Sequence, residues 1–126
     1  MTRDEFRRRT KTLALEVIRL TDTLPRGRAT DVIARQLLRS ATSVGANYCA
    51  ACRYRSAADM VAKLSIVLEE ADETHFWLEL LRDGGFVPAR VVTPLLAETN
   101  EIVAMTVASI KTLRERLRRQ SQLGNQ

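Results

Sequence analysis

RSATSVGANYCAACRYRSAADMVAKLSIVLEEADETHFWLELL, running from Arg39 to Leu81, reads as two long helices meeting at a sharp junction. In the first of these helices, which begins before the quoted stretch, Ile33, Leu37, Ala41, Val44, Tyr48 and Ala51 form one stripe at helical spacing. A second stripe, Ala34, Leu38, Gly45, Cys49 and Cys52, lies beside it, so this helix has two sets of neighbours. Its many small residues (Ala41, Gly45, Ala46, Ala50, Ala51) let another helix approach closely. Ser56-Ala-Ala-Asp59 then gives a capping signal that starts a new helix. Met60, Leu64, Val67, Ala71, Leu78 and Leu81 make its core face. Its last turns, Phe76 to Leu81, are apolar nearly all round, which implies burial against something beyond one bundle. Gly84-Gly85 stops it.

The flanks follow the same logic. Thr2-Arg-Asp-Glu5 has capping-box spacing. Phe6, Thr10, Leu13, Val17, Leu20 and Leu24 continue as one helical face until Pro25 and Gly27. Thr30 is the candidate N-cap of the second helix. After the double glycine, a last helix opens near Pro88 or, with Thr93 as cap and Pro94 at the first position, five residues later. The sequence leaves open one kinked helix or a turn followed by a helix. Val92, Leu96, Thr99, Val103, Thr106, Ile110, Leu113 and Leu117 keep its rhythm. The expectation is an all-α, antiparallel up-down-up-down four-helix bundle over residues 1–119, with helices at about 3–24, 30–54, 57–83 and 88–119. Residues 120–126 are expected to form a flexible polar tail. An extended coiled coil is the alternative, and the turn signals at 25–29 and 84–88 argue against it.

Composition agrees. The chain has 126 residues, 45% hydrophobic and 28% charged, with five Gly and three Pro, which suits one globular domain with a single core. Its longest apolar runs fall short of the roughly 18 residues of a membrane span, and no signal-type segment follows MTRDEFRRRTK, so a cytoplasmic location and no membrane partner are expected. The net charge of +5 is uneven. Residues 1–58 carry 12 Lys/Arg against 5 Asp/Glu, residues 59–110 carry 3 against 9, and residues 111–126 carry 5 against 1.

Three stretches, L-R-S-A-T-S-V-G-A-N (Leu38–Asn47), R-x-R-S (Arg53–Ser56) and K-L-S-I-V-L-E-E-A-D-E-T-x-x-W-L-E-L-L (Lys63–Leu81), together with V-A-S-I-K-T (Val107–Thr112), resemble a bacterial family. It is the S23-type four-helix-bundle family, encoded within intervening sequences of 23S ribosomal RNA genes. The chain departs from the commonest pattern at Tyr48-Cys49-Ala50-Ala51, where many relatives carry I-A-E-G. The resemblance implies a homopentamer. A related branch, the accessory protein of diversity-generating retroelements, works with a reverse transcriptase and nucleic acid, which makes both candidate partners here.

An up-down bundle brings the start of the first helix, the end of the second, the start of the third and the end of the fourth to one end. Arg7, Arg8, Arg9, Lys11, Arg53, Arg55, Lys111, Arg114, Arg118 and Arg119, with Arg3 and Arg116, then form a basic cluster that suits RNA or DNA backbone through counterion release. The alternative is that these cations serve solvation, or pair with the acidic middle of a neighbouring subunit. Few aromatics disfavour base stacking. Gly45, Cys49, Phe76, Trp77 and Leu80 are the candidate oligomer interface. Asp72-x-x-His75 with Glu69, Glu70 and Glu73 does not make a di-iron set, because His75 is the sole histidine; no metal and no cofactor are expected. Cys49-x-x-Cys52 lies inside a helix, away from the N-terminal position that activates a thiol, and reads as small packing residues. Arg39, Ser40, Ser43 and Asn47 are candidates for hydrogen bonds between helices. No nucleophile–base pair can be assembled, so catalysis has no residue set. The expected function is a non-enzymatic oligomeric accessory to a nucleic-acid process; the alternative is a protein-interaction scaffold with no nucleic-acid role.

Overall fold

Thr2 opens the chain's first helix as its spacing predicts. Its Oγ1 accepts from the Glu5 amide at 3.1 Å, and the Glu5 carboxylate accepts from the Thr2 amide at 3.2 Å. The computed structural model describes residues 1–124 and holds four helices: α1 (Arg3–Asp22), α2 (Arg28–Ala51), α3 (Ala57–Asp83) and α4 (Ala89–Gly124). Each packs antiparallel to the next, and α4 returns beside α1. The backbones of the diagonal pairs, α1 with α3 and α2 with α4, do not approach each other closely. This is the up-down-up-down bundle the sequence implies.

The predicted core faces are the buried ones. Phe6, Leu13, Val17 and Leu20 on α1 meet Ile33, Leu37, Ala41 and Val44 on α2; Leu64, Val67, Leu78 and Leu81 on α3 meet Val92, Ile102 and Ile110 on α4. Four buried threonines (Thr10, Thr74, Thr99, Thr106) and Ser40 sit within this core. Each hydroxyl donates back to a carbonyl of its own helix, for example Thr10 to Arg7 at 2.9 Å and Thr106 to Ile102 at 2.7 Å. Among the described residues no buried side-chain polar atom is left without a partner, so these hydroxyls cost the core little.

Several boundaries differ from the sequence reading, and each has a local cause. The first helix ends at Asp22, because Thr23 turns its hydroxyl onto the Leu20 carbonyl at 2.7 Å and caps the end. The second begins at Arg28, with Gly27 in the cap position. Thr30 is buried inside the helix, and its hydroxyl reaches back to the Pro25 carbonyl at 2.8 Å rather than forward to a free amide. That helix stops at Ala51, three residues early, so that Ser56 can cap α3 by accepting from the Asp59 amide at 3.1 Å. Asp59 in turn accepts from the Arg55 amide at 3.1 Å, and this bond, with Lys63 nearby, holds its carboxyl below the usual range.

The last helix is one continuous element through Pro94, which settles the choice left open by sequence. It also runs through Gln120–Gly124, where a flexible tail was expected; Asn125 and Gln126 lie outside the described residues. One 18-residue window of α4 is long and apolar enough to cross a membrane by length and composition alone; in the bundle Val92, Leu95, Leu96, Ile102 and Ile110 of this helix are buried in the core.

The α3–α4 turn is a Schellman motif. The Phe86 amide donates to the Leu81 carbonyl at 3.0 Å and the Gly85 amide to the Arg82 carbonyl at 3.1 Å, with Gly85 at φ 73°. A side chain at that left-handed position is strained. Gly85→Ala is expected to lower the unfolding free energy by roughly 1–2 kcal/mol, read from urea denaturation; an unchanged midpoint would show that the turn does not need glycine.

Candidate nucleic-acid interface

The four chain segments do converge at one end. The Phe6 ring lies 4.2 Å from that of Tyr48, joining the start of α1 to the end of α2. The Arg3 guanidinium stands 5.5 Å over the Tyr54 ring in the α2–α3 turn, a cation–π contact. A crevice bounded by Arg3, Phe6, Tyr48, Met60, Leu113 and Arg116 then joins all four helices. Burial pushes the Tyr48 hydroxyl up to about 12, so the phenol stays neutral at this end.

The cations do not form one cluster; the rotation of each helix divides them among faces. Arg7, Arg8 and Lys11 look out over the seam between α1 and α2. Lys111, Arg114 and Arg118 line a groove of about 710 Å³ between α3 and α4, beside Ser65 and Leu68. Arg53 and Arg55 are exposed in the α2–α3 turn, and Arg119 is exposed on the end of α4. Arg3 and Arg116 both line the crevice that joins the four helices.

Arg9 leaves the set altogether. Its guanidinium turns away from the basic end onto α4, donating from Nε to Glu98 at 3.0 Å and forming ion pairs with Glu98 and Glu101. These carboxylates raise its pKa, the Glu98 hydrogen bond most. Arg7 is held only loosely, 3.9 Å from Asp4. Among the described residues Arg8, Lys11, Arg53, Arg55, Lys111, Arg114, Arg116, Arg118 and Arg119 make no ion pair. Sequence reading missed the Arg9 clamp, because nothing local links residue 9 to residues 98 and 101.

The acidic middle is partly used inside the molecule. Arg39 on α2 pairs with Glu70 at 3.3 Å and with Glu73 on α3, and these bonds depress the Glu73 carboxyl, with help from the Trp77 indole. Ser40 and Thr74 meet across the same seam at 3.0 Å, whereas Asn47 donates to Ser43 of its own helix at 2.8 Å. His75 sits 3.0 Å from Glu79, not beside Asp72. No group of three or more His, Cys, Asp or Glu converges among the described residues. Cys49 and Cys52 are free and half-buried.

The candidate interface residues divide too. A β-carbon on Gly45 would stand 3.3 Å from Thr10 Oγ1, so this glycine serves the approach of α1 to α2 within the subunit. Trp77 packs against the core and donates to Glu73 at 3.3 Å. Phe76, 51% exposed, and Leu80, 37% exposed, do point outward.

These features define an antiparallel four-helix bundle with cations arrayed around one end and no assembled catalytic or metal-binding set among its described residues. The chain belongs to the family of 23S rRNA-intervening sequence proteins, whose pattern matches residues 4–108. It is also similar, at 32% identity and a TM-score of 0.81, to the crystal structure of a protein of unknown function from the S23 ribosomal protein family of Bacteroides thetaiotaomicron. The match covers 88% of this chain and 99% of that one. No curated protein matches the chain.

Arg9→Met tests the clamp. Its partly buried position and two carboxylate partners make a loss of about 1 kcal/mol the expected outcome in urea denaturation, shrinking in high salt. An equal loss at all salt concentrations would mean that the stem of Arg9, not its charge, holds α1.

Proposed function

We propose that this protein is a non-enzymatic, self-associating cytoplasmic bundle that holds RNA or DNA by the backbone, without reading sequence, through the cations of its α4 end. One observation carries the reading: Lys111, Arg114, Arg116, Arg118 and Arg119 lie within nine residues of exposed helix and make no ion pair among the described residues. Elsewhere in the bundle Arg9, Arg39 and Arg82 are each matched to a carboxylate. Arginines left without protein partners on a helical surface offer forked donors to phosphate oxygens. Arg53 and Arg55 extend the surface across the neighbouring turn. The family's description, which refers to a 23S rRNA intervening sequence, agrees with a nucleic-acid setting. Self-association is supported by the exposed Phe76 and Leu80 and by the family resemblance, which implies five copies.

Fluorescence anisotropy with labelled duplex DNA, structured RNA and an RNA–DNA hybrid, titrated from low to high salt, tests this reading. The expected result is similar affinity for all three and a steep fall with salt, by a log–log slope of about 0.7–0.9 per phosphate contacted. Changing Arg114, Arg116, Arg118 and Arg119 to Gln should flatten that slope by about 3 or more, while Arg19, Arg28 and Arg90 changed to Gln at the other end should leave it alone. Absence of binding by the wild type at low salt would sink the nucleic-acid role and leave the interaction scaffold.

A further inference from the structure

Outside the α4 end, the bundle carries two apolar surfaces of opposite charge. The first is a depression of about 400 Å³ on the α1–α2 seam. Its floor is Ala14, Gly45, Ala46 and Cys49, residues with little or nothing beyond the β-carbon, and its rim carries Arg8 and Lys11. Leu15 and Ile18, 41% and 39% exposed, prolong the apolar strip along α1. The second is the outward face of α3, where Ile66 and Phe76 are 42% and 51% exposed and Leu80 is 37% exposed. Glu69 and Asp72 lie on that face, at helical spacing from Phe76, and neither makes an ion pair among the described residues. One surface is concave, lined by small residues and positive; the other is convex, aromatic and negative.

Helices α1 and α3 lie on a diagonal of the bundle and both surfaces face away from its core, so one molecule does not join its own two surfaces. We propose that the outward face of α3 docks into the α1–α2 depression of a second copy of this chain, Phe76 filling the depression while Glu69 and Asp72 pair with Arg8 and Lys11. This rests on the self-association reading and names the two surfaces it uses. The strip from Ile66 to Leu80 rises about 21 Å along α3, long enough to follow a helix–helix seam. Because the surfaces differ, the contact is heterologous. Each copy gives one surface and receives the other, so copies join head to tail, closing into a ring where the rotation between neighbours divides a full turn. The basic residues then have separate roles, with Arg8 and Lys11 serving assembly and the α4 cations staying free for a polyanion.

Charge exchange on the full-length chain tests it, with mass read by sedimentation in the absence of nucleic acid. Arg8→Glu with Lys11→Glu, and separately Glu69→Lys with Asp72→Lys, are each expected to weaken association at least tenfold, and Phe76→Asn should do so as well. All four charges lie exposed and outside the core, so circular dichroism should stay native. The quadruple charge variant, in which both surfaces are reversed, should regain the wild-type mass. If either charge pair leaves the mass unchanged, or the quadruple variant stays dissociated while folded, the docking is wrong although the protein still self-associates. A wild type that sediments as a monomer at high concentration removes the self-association reading along with it.

Discussion

The close approach of α1 to α2 at Gly45 is the contact on which much of this molecule's surface depends. With no side chain there, Thr10 comes within 3.6 Å, through its backbone carbonyl carbon, of where a β-carbon would be. On the neighbouring turns of α1 the Phe6 ring meets Tyr48 and Arg9 pairs with the carboxylates of α4. The close approach also leaves a shallow trough on the outside of the seam, since the two helices meet over small side chains. A bulkier residue at position 45 would therefore press on Thr10 and fill the trough at once.

The interior follows a second rule. Thr10, Ser40, Thr74, Thr99 and Thr106 occupy buried positions where an aliphatic residue would serve packing as well. Each satisfies its hydroxyl within its own helix, and only Ser40 and Thr74 reach each other across a seam. The hydroxyls consequently add little specificity between helices. The distinctive cross-links, Arg9 to Glu98 and Arg39 to Glu70, lie at the edges of the core, where charges stay partly solvated and are less costly to desolvate.

What could be read from the chain and what could not separates cleanly by range. The periodic faces of α1 and α4, the caps at Thr2 and Ser56 and the glycine stop after Asp83 involve residues within a few positions of one another, and all were legible. The start of α2 was misplaced because Thr30 has the residue type of a cap while its hydroxyl finds the Pro25 carbonyl first. The helical end of α4 was missed because its polar residues, Gln120 to Gln122, carry no stop signal and no periodic face either. For the candidate site, topology alone predicts that four basic segments meet. It cannot predict that Arg9 faces inward to α4 while Arg8 faces out, because a step of one residue turns a side chain about 100° around the helix and only packing fixes the zero of that rotation.

The length of α4 has a consequence of its own. Its last buried residue is Ile110, and the cations follow on the exposed turns up to Gly124. Arg116 stands about 22 Å along the helix from Glu101, at about 1.5 Å of rise per residue. At physiological ionic strength charges separated by more than about 8 Å are largely screened from one another. The exposed end of α4 and the acidic turns around Glu98 and Glu101 are thus screened from one another although one helix joins them. An approaching molecule responds to whichever it meets, and the net charge of the chain describes neither.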